Sequence, residues 1–213
     1  MGVCYIVGAG SCTESVFPAK GDLLIAADGG AAHLARMGLV PDLLLGDLDS
    51  LGEKKPNCPL MRYPAEKDDT DMALAVEEGV SRGYREFLVF GALGGARLDH
   101  TLAAVGLLPG YAARGLSVTL IGGGQRVCAL PSGGEKCFSP ALQGYLSLLA
   151  VGTEAAGVTA ENVKYPLQDA TLKACTTLGV SNEFLPGRDA RVSVKRGSLL
   201  LIWQEPWTEG NAK

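Results

Sequence analysis

The sequence predicts an α/β fold, with a mostly parallel sheet flanked by helices and then a smaller all-β sandwich. Three observations carry this. Short apolar runs ending in Gly or Asp alternate with amphipathic stretches through about the first 125 residues, the pattern of buried parallel strands joined by helical crossovers. Beyond that point the runs shorten, gain Val, Thr and turn residues, and show little helical periodicity. Glycine is abundant, 29 of 213 residues, while aromatics are 6%, as suits an α/β chain with many tight turns.

The strand candidates in order are "CYIVGAG", "LLIAADGG", "DLLLGD", "FLVFGA" and "SVTLIGGG". Between them, "DMALAVEEGVSRG" sets Met72, Val76 and Val80 four residues apart. "RLDHTLAAVGLL" sets Leu98, Leu102 and Val105 on one helical face. In the second part, "GYLSLLAVG", "AAGVTAENVKYPL", "ATLKACTTLGVSNEF" and "ARVSVKRGSLLLIWQ" read as strands. The last carries Lys195-Arg196-Gly197-Ser198 between two strand-like runs, which predicts a hairpin. The boundary is expected near "ALPSGGEK", giving units 1–128 and 129–213.

Composition narrows the function. A net charge of -4, with no cluster of Lys and Arg, argues against binding to nucleic acid or anionic membrane. The start "MGVCYIVGAG" lacks the length and basic flank of a signal peptide, and no apolar run approaches a membrane span. The six cysteines are scattered without a C-x-x-C pair, and His33 and His100 are not spaced as zinc ligands. These features together suit a cytoplasmic protein with reduced thiols.

In an open α/β sheet, ligands bind beyond the carboxyl ends of the strands. The acidic residues gather there: Asp28 after "LLIAA", Asp47 and Asp49 after "LLLG", Asp99 in "GALGGARLDH". Asp68, Asp69 and Asp71 of "KDDTD" open a helix, where Asp69 or Thr70 could serve simply as N-cap. Asp99 could likewise cap the helix that follows it, and Asp28 could belong to an ordinary turn. Asp47 and Asp49 are harder to explain structurally. In extended backbone, residues two apart face the same way, so the two carboxylates repel unless a cation lies between them. A hard divalent metal shared with phosphate oxygens removes that conflict, and Mg²⁺ held so points to phosphoryl-type transfer. Lys67 and Arg97 lie inside these acidic motifs and could offset polyphosphate charge. "GAGS" and "GALGGAR" could turn backbone N–H groups toward phosphate, although the first lacks the third glycine of the dinucleotide fingerprint and the Lys of a Walker A loop. A metal-dependent glycosyltransferase built around "GDLDS" and a non-catalytic small-molecule or nucleotide sensor are the alternative readings.

Taken together, "ADGGAAHLARMGLVPDLLLGDLDSL", "KDDTDMALA", "GALGGARLDHTLA" and "GVSNEF" resemble the thiamin pyrophosphokinase family, in order and spacing. The likeness covers most of the chain. It implies a Rossmann-like catalytic domain joined to a β-sandwich, and a homodimer with active sites formed between subunits. It also implies transfer of the pyrophosphoryl group of ATP to the hydroxyl of thiamin, giving thiamin diphosphate and AMP. By the same resemblance, Asp47, Asp49 and Asp71 are the Mg²⁺ ligands, and Arg97 and Asp99 contact the nucleotide phosphates, with Lys67 or Asp68 nearby. Asp28 and Gly29 lie at the nucleotide or metal site. Ser181 and Asn182 hold the thiamin pyrimidine from the partner subunit; read alone, Ser181 is a turn-former. Two positions depart from the family pattern: Leu48 stands where Phe is common, and Ala104 where many relatives carry Asn. Trp203, on the last strand, could stack on a thiamin ring or belong to the sandwich core.

Overall fold

The computed structural model describes residues 2–47, 57–64, 66 and 68–211, and the chain divides into two compact units. The first holds residues up to 105, 116–123 and those from 207 onward; the second holds 106–115 and 124–206.

In the first unit, β1 (Cys4–Val7), β2 (Leu23–Ala27), β3 (Leu43–Gly46), β4 (Leu60–Arg62), β5 (Glu86–Phe90) and β6 (Ser117–Gly122) form a parallel sheet in the order β4-β3-β2-β1-β5-β6. Every residue of β1, β2 and β3 is buried, which is why these strands read as unbroken apolar runs. The sequence reading missed β4, because "LMR" is a short, largely exposed edge strand without an apolar run. Helix α1 (Gly30–Arg36) lies tight on β1: a methyl group placed on Gly30 would fall 1.8 Å from the Val7 carbonyl oxygen. Helix α2 (Asp71–Ser81) packs Ala73, Ala75, Val76 and Gly79 inward against β1, β2 and β3. The core gathers Tyr5, Val7, Leu24, Leu34, Leu44, Phe90 and Trp207.

Helix α3 (Leu98–Ala113) corrects the expected apolar face. Leu98 and Leu102 are 68% and 62% exposed, and the buried residues are Ala104, Leu108, Tyr111 and Ala112. The helix is apolar nearly all round, so its periodicity does not single out the face that is covered. Ala104, the departure from the family pattern, is one of those buried residues.

The second unit is antiparallel: β7 (Gln125–Leu130), β8 (Glu135–Phe138), β9 (Tyr145–Glu161), β10 (Leu167–Lys173), β11 (Asn182–Glu183), β12 (Ala190–Ser193) and β13 (Arg196–Gln204). Along one edge of β9 lie β12, itself paired with β8, and β13, itself paired with β7, while β10 and β11 pair with its other edge. Its inner faces enclose Phe138, Leu146, Leu148, Val158, Val192, Leu199, Leu201 and Trp203. The hairpin expected at 195–198 is not there. Strands β12 and β13 both run antiparallel to β9, β12 beside residues 159–161 and β13 beside 146–156, as two stretches along the same side of it. Lys195 N–H donates to the Ala156 carbonyl, and Gly197 (φ 87°) packs closely on Glu154 where β9 bulges between Val151 and Ala156, so the chain runs on without reversing. A turn-like composition thus marks the stretch that faces a bulge in β9.

Candidate functional site

The strand order of the first unit reverses at β1, which has β2 on one side and β5 on the other. The turn after β1 (Gly8 to Ser11) and the turn after β5 (Gly91 to Arg97) meet there. Gly8 N–H donates to the Phe90 carbonyl at 2.8 Å, and Gly10 N–H to the Gly91 carbonyl at 3.0 Å. A methyl group on Gly10 would lie 2.5 Å from the Gly91 oxygen, and one on Gly91 (φ 67°) would lie 2.4 Å from the Gly8 oxygen. Glycine at these positions brings two backbones together without side chains between them, in the place where α/β sheets take phosphates.

The carboxylates ring the same strand ends. Asp28 ends β2 with φ 48°, a left-handed conformation that Asp tolerates better than most residues. Its N–H donates to the Leu45 carbonyl at 2.8 Å, while Gly46 (φ 143°) approaches its Cα so closely that a methyl group there would lie 3.3 Å away. Asp28 and Asp47 therefore leave adjacent strands side by side, both half-buried. The Asp47 carbonyl accepts a bond from Arg62 Nε at 3.4 Å. Asp71 is the first residue of α2; its neighbour Met72 reaches Gly8, with Met72 Cε 3.1 Å from a methyl group placed there. Thr70 is the N-cap, its hydroxyl accepting from Ala73 N–H at 3.2 Å, so Asp69 is not the cap. Asp68 is exposed just before it. Asp49 and Lys67 lie outside the described residues.

This donor set has hard carboxylate oxygens and no thiolate or imidazole. Among the described residues no three acidic, His or Cys side chains cluster tightly enough to cage a metal. Such a set fits Mg²⁺, a hard cation that binds carboxylate oxygens and fills its shell with phosphate oxygens and water.

Arg97 and Asp99 pair with each other at the start of α3: Nε lies 3.0 Å from Oδ1 and Nη2 2.6 Å from Oδ2. Both are well exposed. The Arg97 hydrogen bonds pull the Asp99 carboxyl down to about 2, so it stays ionised at neutral pH. The pair engages Nε and Nη2, and among the described residues no hydrogen bond engages Nη1.

In the second unit, Ser181 is exposed with φ 59°, and its N–H donates to Ser147 Oγ at 3.0 Å. Asn182 is buried. Its Oδ1 accepts from Tyr165 N–H and Glu183 N–H, each at 2.9 Å, and its Nδ2 donates to the Tyr165 carbonyl at 2.7 Å. The amide thereby ties β11 to the segment before β10, leaving Ser181 as the exposed hydroxyl of the motif. Trp203 is in the core, edge-on to Phe138 at 5.4 Å, with Nε1 donating to Glu205 at 2.8 Å. Two contributors were not visible in the sequence. His33 on α1 bonds the Gly10 carbonyl, and Ser147 supports Ser181 across 34 residues. Both join distant segments, so no local spacing marks them.

A parallel nucleotide-type unit with glycine turns and carboxylates at its strand-order reversal, carried on one chain with an antiparallel β unit, defines an α/β phosphotransfer enzyme with a second, substrate-binding part. Two family models match in that order: the thiamin pyrophosphokinase catalytic domain over residues 17–120 and the thiamin pyrophosphokinase vitamin B1 binding domain over residues 137–199. The chain belongs to the thiamin pyrophosphokinase family. It is 29% identical over 186 residues to the thiamine pyrophosphokinase of Bacillus subtilis, covering 84% of this chain and 86% of the relative. A crystal structure of the Bacillus subtilis thiamine pyrophosphokinase superposes with TM-score 0.83 at 25% identity, over 95% of this chain and 99% of that one. The Geobacillus thermodenitrificans thiamin pyrophosphokinase gives 0.81 at 28%, over 99% and 100%. The yeast thiamin pyrophosphokinase, at 16% identity and TM-score 0.75 over 95% of this chain and 86% of that one, shares the fold.

Proposed function

We propose that the chain transfers the β,γ-pyrophosphoryl group of ATP to thiamin as an Mg²⁺-dependent enzyme, with the residues above in the following roles. The observation that carries the reading is the joint match of catalytic and vitamin B1 binding domains on one chain whose carboxylates ring a glycine-lined strand-order reversal. Asp47, Asp49 and Asp71 would hold Mg²⁺, which when bound would draw charge from the phosphates and the departing AMP. Asp28 and Gly29 border that site, and the turns 8–11 and 91–97 present backbone N–H groups to the nucleotide. Arg97, held by Asp99, offers Nη1 to a phosphate oxygen, with Lys67 and Asp68 nearby. Ser181 offers its hydroxyl to the thiamin pyrimidine, and Asn182 keeps it in place.

The thiamin hydroxyl oxygen bonds to the β-phosphorus. The bond from that phosphorus to the α,β-bridging oxygen breaks, and AMP leaves with the electron pair. At a loose transition state, alignment and charge stabilisation supply most of the rate, so the hydroxyl proton passes late to a nearby carboxylate.

The active protein is a homodimer with Ser181 and Asn182 of one subunit serving the nucleotide of the other. Leu98 and Leu102, exposed one helical turn apart on α3, support self-association. Six free thiols, and no described helix long and apolar enough to cross a membrane, support a cytoplasmic setting.

The test is incubation of purified protein with thiamin, ATP and Mg²⁺, followed by chromatography. Thiamin diphosphate with equimolar AMP, abolished by EDTA, is the expected result. Thiamin monophosphate with ADP would overturn the mechanism.

A further inference from the structure

The turn after β1 is hydrogen-bonded from outside by a side chain of α1. His33 Nε2, on α1, lies 2.8 Å from the Gly10 carbonyl oxygen, and His33 Nδ1 meets Nη2 of Arg36 one helical turn on. A carbonyl can only accept and a guanidinium can only donate. Both demands are met by a single tautomer, with the proton on Nε2 and the lone pair on Nδ1. Arg36 therefore selects the ring form that grips Gly10.

The consequence reaches the next peptide unit. In a planar trans peptide the N–H points opposite to the C=O. Turning the Gly10 carbonyl toward His33 turns the Ser11 N–H the other way, toward the turn after β5, where a methyl group placed on Gly95 would lie 3.4 Å from Ser11 N. That N–H has no partner among the described residues.

We infer that His33 is a positioning residue for the nucleotide: through the Gly10 carbonyl it aims the Ser11 N–H at a phosphate oxygen lying between the two glycine turns. The inference rests on the reading that these turns take the ATP phosphates. His33 touches neither substrate; it acts through the backbone.

The test is steady-state kinetics of the full chain with Mg-ATP and thiamin varied separately, for His33→Ala, His33→Gln and His33→Asn, with Tm for each. A Gln side chain places its amide nitrogen the same number of bonds from Cα as Nε2, whereas Asn falls one short. His33→Ala is expected to raise the KM for ATP about ten-fold, the loss of one hydrogen bond, with kcat and the KM for thiamin within two-fold. His33→Gln should restore most of the ATP KM and His33→Asn should not. An unchanged ATP KM in His33→Ala, a uniform loss that follows Tm, or equal rescue by Asn and Gln would overturn the inference. Gly10→Ala separates the two levels. If it impairs ATP use while His33→Ala does not, only the role of His33 fails; if neither does, the placement of phosphate at these turns fails with it.

Discussion

Replacing Gly10 by Ala tests whether the two glycine turns form a nucleotide cradle. Gly10 does not have positive φ, so Ala suffers no backbone strain there and the effect is steric. The new methyl group would lie 2.5 Å from the Gly91 carbonyl oxygen, whereas ordinary contact begins at 3.4 Å, so the turns must part by 3.4 − 2.5 = 0.9 Å. That breaks or stretches the 3.0 Å bond from Gly10 N–H to Gly91, a loss of about 1 kcal/mol. With some repacking, stability should fall by about 1–2 kcal/mol, or about 2–8 °C in Tm. A displacement of about 1 Å at a phosphate cradle should lower kcat/KM for ATP by about 10²-fold. The assay is thiamin diphosphate formation with ATP varied, together with calorimetric binding of thiamin alone, which should change little. Gly38→Ala is the control: φ is 71° and nothing lies within 4 Å, so it adds about 1 kcal/mol of strain outside the turns. Wild-type kcat/KM for ATP in a folded Gly10→Ala protein would refute the cradle. So would equal kinetic damage from Gly38→Ala.

Other expectations follow from the same geometry. Asp47→Asn and Asp49→Asn should each lower turnover at least a hundredfold with Tm nearly unchanged; retained turnover would remove that residue from the metal site. Ser181→Ala should raise the KM for thiamin several-fold at unchanged Tm. Asn182→Ala should cost about 1–2 kcal/mol in denaturant unfolding, because it removes the part-buried bonds that tie the Tyr165 backbone to β11. Leu98→Glu with Leu102→Glu should turn a dimer into a monomer by light scattering, and an unshifted mass would remove this face of α3 from the interface. Burial pushes the Cys4 thiol up to about 12 from an ordinary value of 9.0. The folded state thus favours the neutral thiol: its contribution is intact below pH 9 and drains away as pH rises toward 12, by about 1.4 kcal/mol per pH unit. Cys4→Ala should flatten alkaline unfolding over that window, and an unaltered profile would assign the alkaline limb to other groups.

By itself, the sequence determined the parts of this protein that depend on near neighbours. Buried parallel strands are apolar throughout, so β1, β2, β3, β5 and β6 were legible as runs, and the acidic residues at their ends were legible because a charge abruptly ending a core strand is visible in a few residues. The four acidic and Ser-Asn motifs, read together, carried the family and with it the activity. Tertiary structure decided whatever depends on partners far along the chain. An all-round apolar α3 does not reveal which side meets the core, so Leu98 and Leu102 read as inward and are outward. The turn-like Lys195-Arg196-Gly197-Ser198 runs straight on past a bulge in β9 because β9 is long enough to hold β12 and β13 end to end. Asn182 is a tie between segments because Tyr165, seventeen residues earlier, folds back onto it. His33 reaches Gly10 across twenty-three residues. Periodicity and turn chemistry act over two to four residues, but a buried hydrogen bond is defined by its partner, and only the folded chain supplies one.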